Sequence, residues 1–285
     1  MVSNPTAISL AFWLSSARNF LAEKTTTPYL EAQALASFVF DESKEWVISH
    51  SELILTQHQK EKLDDCLNQL LAGVPLAYIT GFQEFYNLSF HVTPKVLIPR
   101  PETELLVEHA VHWANKYGSN ILALDIGTGS GCISIALARH CPNVHLIALD
   151  RDFHALRVAK DNVFRNSLQY QISLVQSDLL LGINGKFEML LANPPYIPTQ
   201  KLLGLNVARF EPHLALDGGE DGLIIIRDII RDAPRVLVAG GLFLMEIESN
   251  LGAQVKSLAI KSFPDSHIQI IPDYAGLPRL LKIIL

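Results

Sequence analysis

An α/β architecture, a parallel sheet covered by helices on both faces, follows from three features of the sequence. Five short apolar runs alternate with helical stretches after Pro101, a glycine-rich turn stands directly behind the first run, and the first 75 residues read as helices. The chain has 285 residues, 49% of them hydrophobic and 18% charged, with 16 Gly and 15 Pro spread along it. That composition belongs to an ordered globular protein and excludes wholesale disorder and a disulfide-held mini-protein.

Within residues 1–75, Ile8, Phe12, Trp13, Leu14 and Ala17 recur at mixed three- and four-residue spacing, the mark of a helix with one apolar stripe. Thr27 before Pro28 predicts an N-cap with proline at N1, and Thr56 opens a run that Gly73 and Pro75 close. Residues 1–75 are therefore expected to form a helical domain. Over residues 76–98, β-branched and aromatic residues broken by Gly81, Asn87 and Pro94 predict a β-hairpin linker. Residues 99–285 are expected to form the sheet domain, with parallel strands at 121–124, 146–149, 172–175, 188–192 and 242–247. The tail, 268–271 and 280–284 around Asp273-Tyr274-Ala275-Gly276, reads as a closing antiparallel pair.

Charge narrows the function classes. Lys and Arg total 23 against 29 Asp and Glu, a formal charge of -6 with a pI near 5.9. Residues 1–75 carry -4 of it. Such a balance lacks the electrostatic footprint of a protein that tracks a nucleic-acid backbone, so no direct nucleic-acid binding is expected. Cys66, Cys132 and Cys141 form no CxxC pair, and His109 and His112 lie one turn apart without an HExxH motif, so no disulfide framework and no metal site are expected. The first cation is Arg18, so no basic region precedes a signal-like run, and the uncharged stretch 66–83 is interrupted by Asn68, Gln69, Gly73, Pro75 and Gly81. No membrane association and a cytoplasmic location are the expectation.

The segment Leu124-Asp125-Ile126-Gly127-Thr128-Gly129-Ser130-Gly131-Cys132 ends the first strand and opens a helix. Its glycines let the backbone turn sharply and approach a ligand, and the helix N-terminus offers free N–H groups. Asp150 ends the second strand, where a carboxylate can accept both hydroxyls of a ribose; Asp178 ends the third, beside the place of an adenine ring. A phosphate-binding GxxxxGK[ST] loop is absent, because Gly185-Lys186 is followed by Phe187. The G-x-G-x-G form resembles the glycine loop of S-adenosylmethionine-dependent methyltransferases, with a dinucleotide dehydrogenase as the competing reading.

Asn193-Pro194-Pro195-Tyr196 follows the fourth apolar run directly. Two prolines stiffen the backbone, so the Asn193 side-chain carbonyl and the Pro194 main-chain carbonyl can converge on one point. Two acceptors in one place suit an NH2 group, whose nitrogen they would hold in line with a sulfonium methyl; Tyr196 can lie against the acceptor or the sulfonium. This motif also occurs in amino-methyltransferases acting on DNA or RNA bases, and a binding module that keeps the fold without transfer is a further alternative. Arg100, Glu102, Thr103 and Glu104 stand where they could either start a helix or position a substrate.

The text around these motifs closely resembles the PrmC/HemK family, the protein-(glutamine-N5) methyltransferases of peptide chain release factors. The resemblance rests on Gly73-Val74-Pro75-Leu76-Ala77-Tyr78-Ile79-Thr80-Gly81, on Glu84-Phe85-Tyr86, on the run from Val96 to Glu104, and on the segment from Phe210 to Leu223. It implies a class I, Rossmann-like methyltransferase sheet and methyl transfer to the side-chain amide of Gln in the Gly-Gly-Gln motif of class I release factors. It implies S-adenosyl-L-methionine as donor and S-adenosyl-L-homocysteine as product. On that resemblance Gly127, Thr128, Gly129, Ser130, Gly131 and Asp150 hold the donor, Asp178 and Leu179 border its adenine, Asn193 also contacts the donor, and Asn193, Pro194 and Tyr196 are the catalytic residues. Asn193 and Pro194 hold the Gln amide, with Pro195 and Tyr196 seating it. Leu179 stands where the family often has an aromatic residue, and Glu248 where a Gly often follows the Glu-Ile pair.

Overall fold

Residues 8–285 are described by a computed structural model, in which the chain divides into two units, Met1–Gly81 and Phe82–Leu285. The first is built from α1 (Leu10–Leu21), α2 (Pro28–Phe40), α3 (Lys44–Ser49), α4 (Gln57–Leu71) and α5 (Leu76–Thr80). Thr56 closes a reciprocal cap with Gln59 at the start of α4, which satisfies donors that no helical carbonyl can reach. Pro28 begins α2, but the Thr27 hydroxyl donates to Glu31 and caps nothing. The apolar stripe of α1, with Leu10, Trp13, Leu14 and Ala17, packs on Ala32, Leu35, Val47, Leu63 and Leu67 to form this unit's core.

The expected hairpin over 76–98 needs correction. Residues 76–80 are helical, entered through Pro75 and stopped by Gly81 in the left-handed region (φ 79). Ile79 joins the helical core, so burial outweighs the β propensity of Tyr78, Ile79 and Thr80. The hairpin proper is β1 (Phe82–Phe85) and β2 (Leu88–His91), joined by Tyr86 and Asn87, both at positive φ as a two-residue turn requires. It belongs to the second unit, where Phe85 and Phe90 are fully buried in the sheet's core.

That sheet has seven strands. A 3-10 turn at Pro101–Thr103 leads into α6 (Glu104–Tyr117), and then follow β3 (Ile121–Ile126), α7 (Cys132–His140), β4 (Val144–Asp150), α8 (Phe153–Arg165), β5 (Ile172–Gln176), β6 (Phe187–Ala192), α9 (Thr199–Leu202), α10 (Ile224–Val236), β7 (Leu237–Glu246), α11 (Gly252–Ser262), β8 (His267–Pro272) and β9 (Pro278–Ile284). Their order across the sheet is β5-β4-β3-β6-β7-β9-β8. The first five are parallel, and β9 runs antiparallel between β7 and β8. The tail therefore closes one side of the sheet as the expected antiparallel pair, with the last strand in sequence, β9, next to β7 and with β8 at the edge.

Alternate residues of the central strands feed two cores. Ala123, Met189, Leu191, Leu242 and Leu244 pack under α6, α7 and α8, whereas Leu124, Leu190, Phe243 and Met245 pack under α10 and α11. β7 begins at Leu237 rather than at residue 242, because Gly240 (φ 76) lets the strand bend and continue. Strand order reverses beside β3, so the C-terminal ends of β3, β4, β5 and β6 border a crevice, the usual ligand place in such sheets. Among the described residues no helix is long and apolar enough to cross a membrane.

Candidate active site

At that crevice the second unit holds a cavity of about 380 Å³. Gly127, Thr128, Gly129, Ser130, Asp150, Asp178, Leu179, Asn193, Pro194 and Pro195 all line it; Gly131 and Tyr196 do not.

The wall after β3 is made by backbone geometry. Gly127, Gly129 and Gly131 have φ of 78, 56 and 82, a region that costs an L-residue strain. Gly131 also packs so closely on α8 that a Cβ would lie 3.4 Å from that of Ala159. The loop is tied to β4 by N–H bonds from Gly127 (2.9 Å) and Thr128 (2.7 Å) to the Leu149 carbonyl, and from Gly129 to Asp150 Oδ2 (2.9 Å). Asp150 Oδ1 accepts from the Asp152 N–H at 2.9 Å. Burial raises the Asp150 carboxyl above its ordinary range, and those backbone donors oppose the rise.

Beneath the loop, Asp125 is fully buried, and its Oδ2 accepts from both Thr128 and Ser134 hydroxyls at 2.7 Å. Its Oδ1 is buried without a partner, and desolvation pushes this carboxyl up to about 6. Cys132 also lines the cavity, but burial pushes its thiol up to about 12, which leaves no thiolate nucleophile near neutral pH. Leu179, at φ 51, is held in an unusual backbone conformation by the Ser177 hydroxyl, which donates to the Leu179 and Leu181 carbonyls.

The wall after β6 is made by side chains from far along the chain. Asn193 Nδ2 donates to Thr103 Oγ1 (3.1 Å), and Thr103 Oγ1 donates to Glu246 Oε2 (2.6 Å) at the end of β7. The Tyr196 hydroxyl donates to Glu246 Oε1 at 3.4 Å, and its own ionisation is displaced upward by burial and by the Glu246 charge. Among the described residues Asn193 Oδ1 has no hydrogen-bond partner. Arg100 pairs with the buried Glu211, which also accepts the Ile98 N–H, so the segment before α6 is clamped to the segment after Phe210.

Thr103, Glu246, Glu211 and Asp125 are thus structural members of the site to which sequence reading assigned no definite role. Glu246 had a visible signal, a lone carboxylate at the end of a run of buried apolar residues; Glu211 had none beyond its motif.

The residues present fit an adenosyl-type ligand. The cavity is of ligand size, the positions where Gly127 and Gly129 would carry a Cβ are open, and a carboxylate stands at the end of β4. Among the described residues no group of three or more His, Cys, Asp or Glu is arranged to hold a metal ion.

Family models agree with this architecture in both units. That of the PrmC N-terminal domain matches residues 13–81 and that of the Methyltransferase small domain matches residues 101–210. A solved structure of the T. thermophilus 16S rRNA N2 G1207 methyltransferase, in complex with AdoMet and guanosine, superposes with a TM-score of 0.53 at 18% identity, over 71% of this chain and 49% of that one, which establishes likeness of fold. The release factor glutamine methyltransferase of Streptococcus pneumoniae is 37% identical over 260 residues, 89% of this chain and 91% of that protein. That of Moorella thermoacetica is 39% identical over 264 residues, 92% of this chain and 93% of its own length. With such identity over nearly all of both chains, the protein belongs to the release factor glutamine methyltransferase family.

Proposed function

We propose that the protein transfers a methyl group from S-adenosyl-L-methionine to the side-chain amide nitrogen (N5) of the Gln in the Gly-Gly-Gln motif of class I peptide chain release factors, leaving S-adenosyl-L-homocysteine. The observation that carries this reading is the pairing of two walls on one cavity: a glycine loop with Asp150 on one side, and Asn193 with a free Oδ1, next to Pro194, on the other.

When bound, the donor supplies an electrophilic methyl on a sulfonium sulfur. Gly127, Thr128, Gly129, Ser130 and Asp150 hold it, with Asp178 and Leu179 beside its adenine. An amide nitrogen is a poor nucleophile, so orientation matters most: Asn193 Oδ1 and the Pro194 carbonyl accept its two N–H bonds and keep it aimed at the methyl carbon. Pro195 keeps that backbone stiff. As the N–C bond forms and the C–S bond breaks, the nitrogen becomes cationic and its extra proton leaves to water, so no strong base is required of the chain. The helical domain serves to dock the protein substrate, and the place of action is the cytoplasm, where release factors are met.

Mass spectrometry tests this directly. A purified release factor incubated with the protein and S-adenosylmethionine should gain one methyl on its Gly-Gly-Gln peptide. Methyl found on duplex DNA or RNA under the same conditions, with none on the factor, would replace this reading by a nucleic-acid amino-methyltransferase.

A further inference from the structure

Glu246 is 2% exposed, and among the described residues no cation pairs with it. Burial raises this carboxyl above its ordinary range and the like charge of Glu102 adds to the rise, while the Thr103 hydrogen bond, the charge of Arg279 (itself paired with Asp273 at 3.2 Å) and the Tyr196 hydrogen bond oppose it. A buried carboxylate kept on such terms needs a reason. Thr103 does not supply the usual one: it stands at the start of α6, yet its hydroxyl makes no cap bond there. That hydroxyl is 143 residues from Glu246 and 90 from Asn193, and it bonds to both.

We infer that Thr103 and Glu246 are positioning residues that set the direction of the Asn193 amide, so that Asn193 offers its carbonyl oxygen, and not its NH2, to the acceptor nitrogen. This rests on the reading of Asn193 as the grip on the Gln amide.

The argument is one of donor count. A carboxylate only accepts, so the single Thr103 proton is committed to Glu246. The Thr103 oxygen can then only accept, and the neighbour that meets it must be the Asn193 NH2. The carbonyl end is left for the cavity. Reversed polarity would set one NH2 against another and lose the grip. The Tyr196 hydroxyl, on the second Glu246 oxygen, leaves that carboxylate bonded on both sides.

The test uses the full chain and measures single-turnover transfer to a purified release factor at saturating S-adenosylmethionine, together with cofactor affinity and melting temperature. Thr103→Val keeps the shape and removes the hydroxyl, which leaves the productive Asn193 NH2 unpaired; transfer should fall about 10- to 100-fold with cofactor affinity within about twofold. Thr103→Ser should return transfer to within a few-fold of the parent, which a purely packing role of the Thr methyl would not allow. Glu246→Met removes the acceptor and fills the space, so transfer should fall about tenfold while the melting temperature holds or rises, since a buried charge is gone. Transfer by Thr103→Val close to that of the parent overturns the inference, as does a Thr103→Ser as slow as Thr103→Val or a parallel loss of cofactor affinity. Should Thr103→Val not fold, Glu246→Met decides alone, and parental transfer there overturns it. A parent that methylates no release factor overturns the substrate reading and this inference together; a parent that does, matched by its variants, overturns this inference only.

Discussion

The loops after β3 and β6 wall the same cavity but are held by different kinds of bond. The first is tied by backbone N–H groups to Leu149 and Asp150 on the adjacent strand, and by Thr128 and Ser134 to Asp125 within its own turn. The second is tied by side chains to Thr103 and Glu246, and by the Ile197 N–H to the Leu216 carbonyl. Gly218 lies so close to this strand that a Cβ would stand 2.8 Å from the Tyr196 Cα. A wall of main-chain groups tolerates changes of side chain but not of glycine. A wall of side chains can lose one function by one substitution while the opposite wall stays intact.

The largest separation of the two walls should come from Asn193→Ala. Transfer should drop on the order of 10²-fold as a preorganised acceptor is lost, with cofactor affinity within about twofold of the parent. Single-turnover kinetics beside calorimetry read both, and a collapse of affinity together with transfer would place Asn193 on the donor wall.

Asp150→Ala probes the other wall. On the proposed function the donor's ribose would lose a charged acceptor, so affinity should weaken by about 1.5–3 kcal/mol, with calorimetry as the measure. The Gly129 N–H is freed at the same time, so a faster-exchanging Gly129 amide is the accompanying sign.

Breaking the Arg100–Glu211 pair should affect stability more than binding. Arg100 is about a third exposed, so Arg100→Met should cost only about 1–2 kcal/mol in urea denaturation, less than a fully buried pair. Cofactor affinity should be unchanged; if it falls in step with stability, the two walls are not independent.

The smallest effect concerns Asp125 and its pH dependence. Its folded-state value, about 6, lies above its ordinary 3.8, so the folded protein retains a proton that the unfolded chain has released. The stability this group contributes is therefore full below 3.8, declines as pH rises, and is flat above about 6. Asp125→Asn keeps an oxygen for Thr128 and Ser134, and its melting temperature should fall less than the parent's between those two pH values.

Much of the donor wall was legible because its constraints are local. Gly127, Gly129 and Gly131 reveal themselves by composition, and Asp150 and Asp178 by their distance from strand ends. On the opposite wall, Asn193, Pro194 and Pro195 were legible as a stiff turn behind the fourth apolar run, and all three line the cavity. Tyr196, expected beside the substrate, does not line the cavity, and its hydroxyl donates to the buried Glu246 at the end of β7. Thr103 read as ambiguous because a Thr before a helix usually caps it, and here it does not.

By itself the sequence determined what short-range geometry dictates: where helices start at Pro28 and Thr56, and where glycine permits a left-handed turn. Tertiary structure alone decided that residues 76–80 coil into a helix, that β9 enters between β7 and β8, and that Thr103 joins Asn193 to Glu246. The division has one physical cause. Dihedral preferences and caps act over a few residues and leave a readable mark, whereas a hydrogen bond between groups 90 or 143 residues apart exists only after packing has brought its strands side by side.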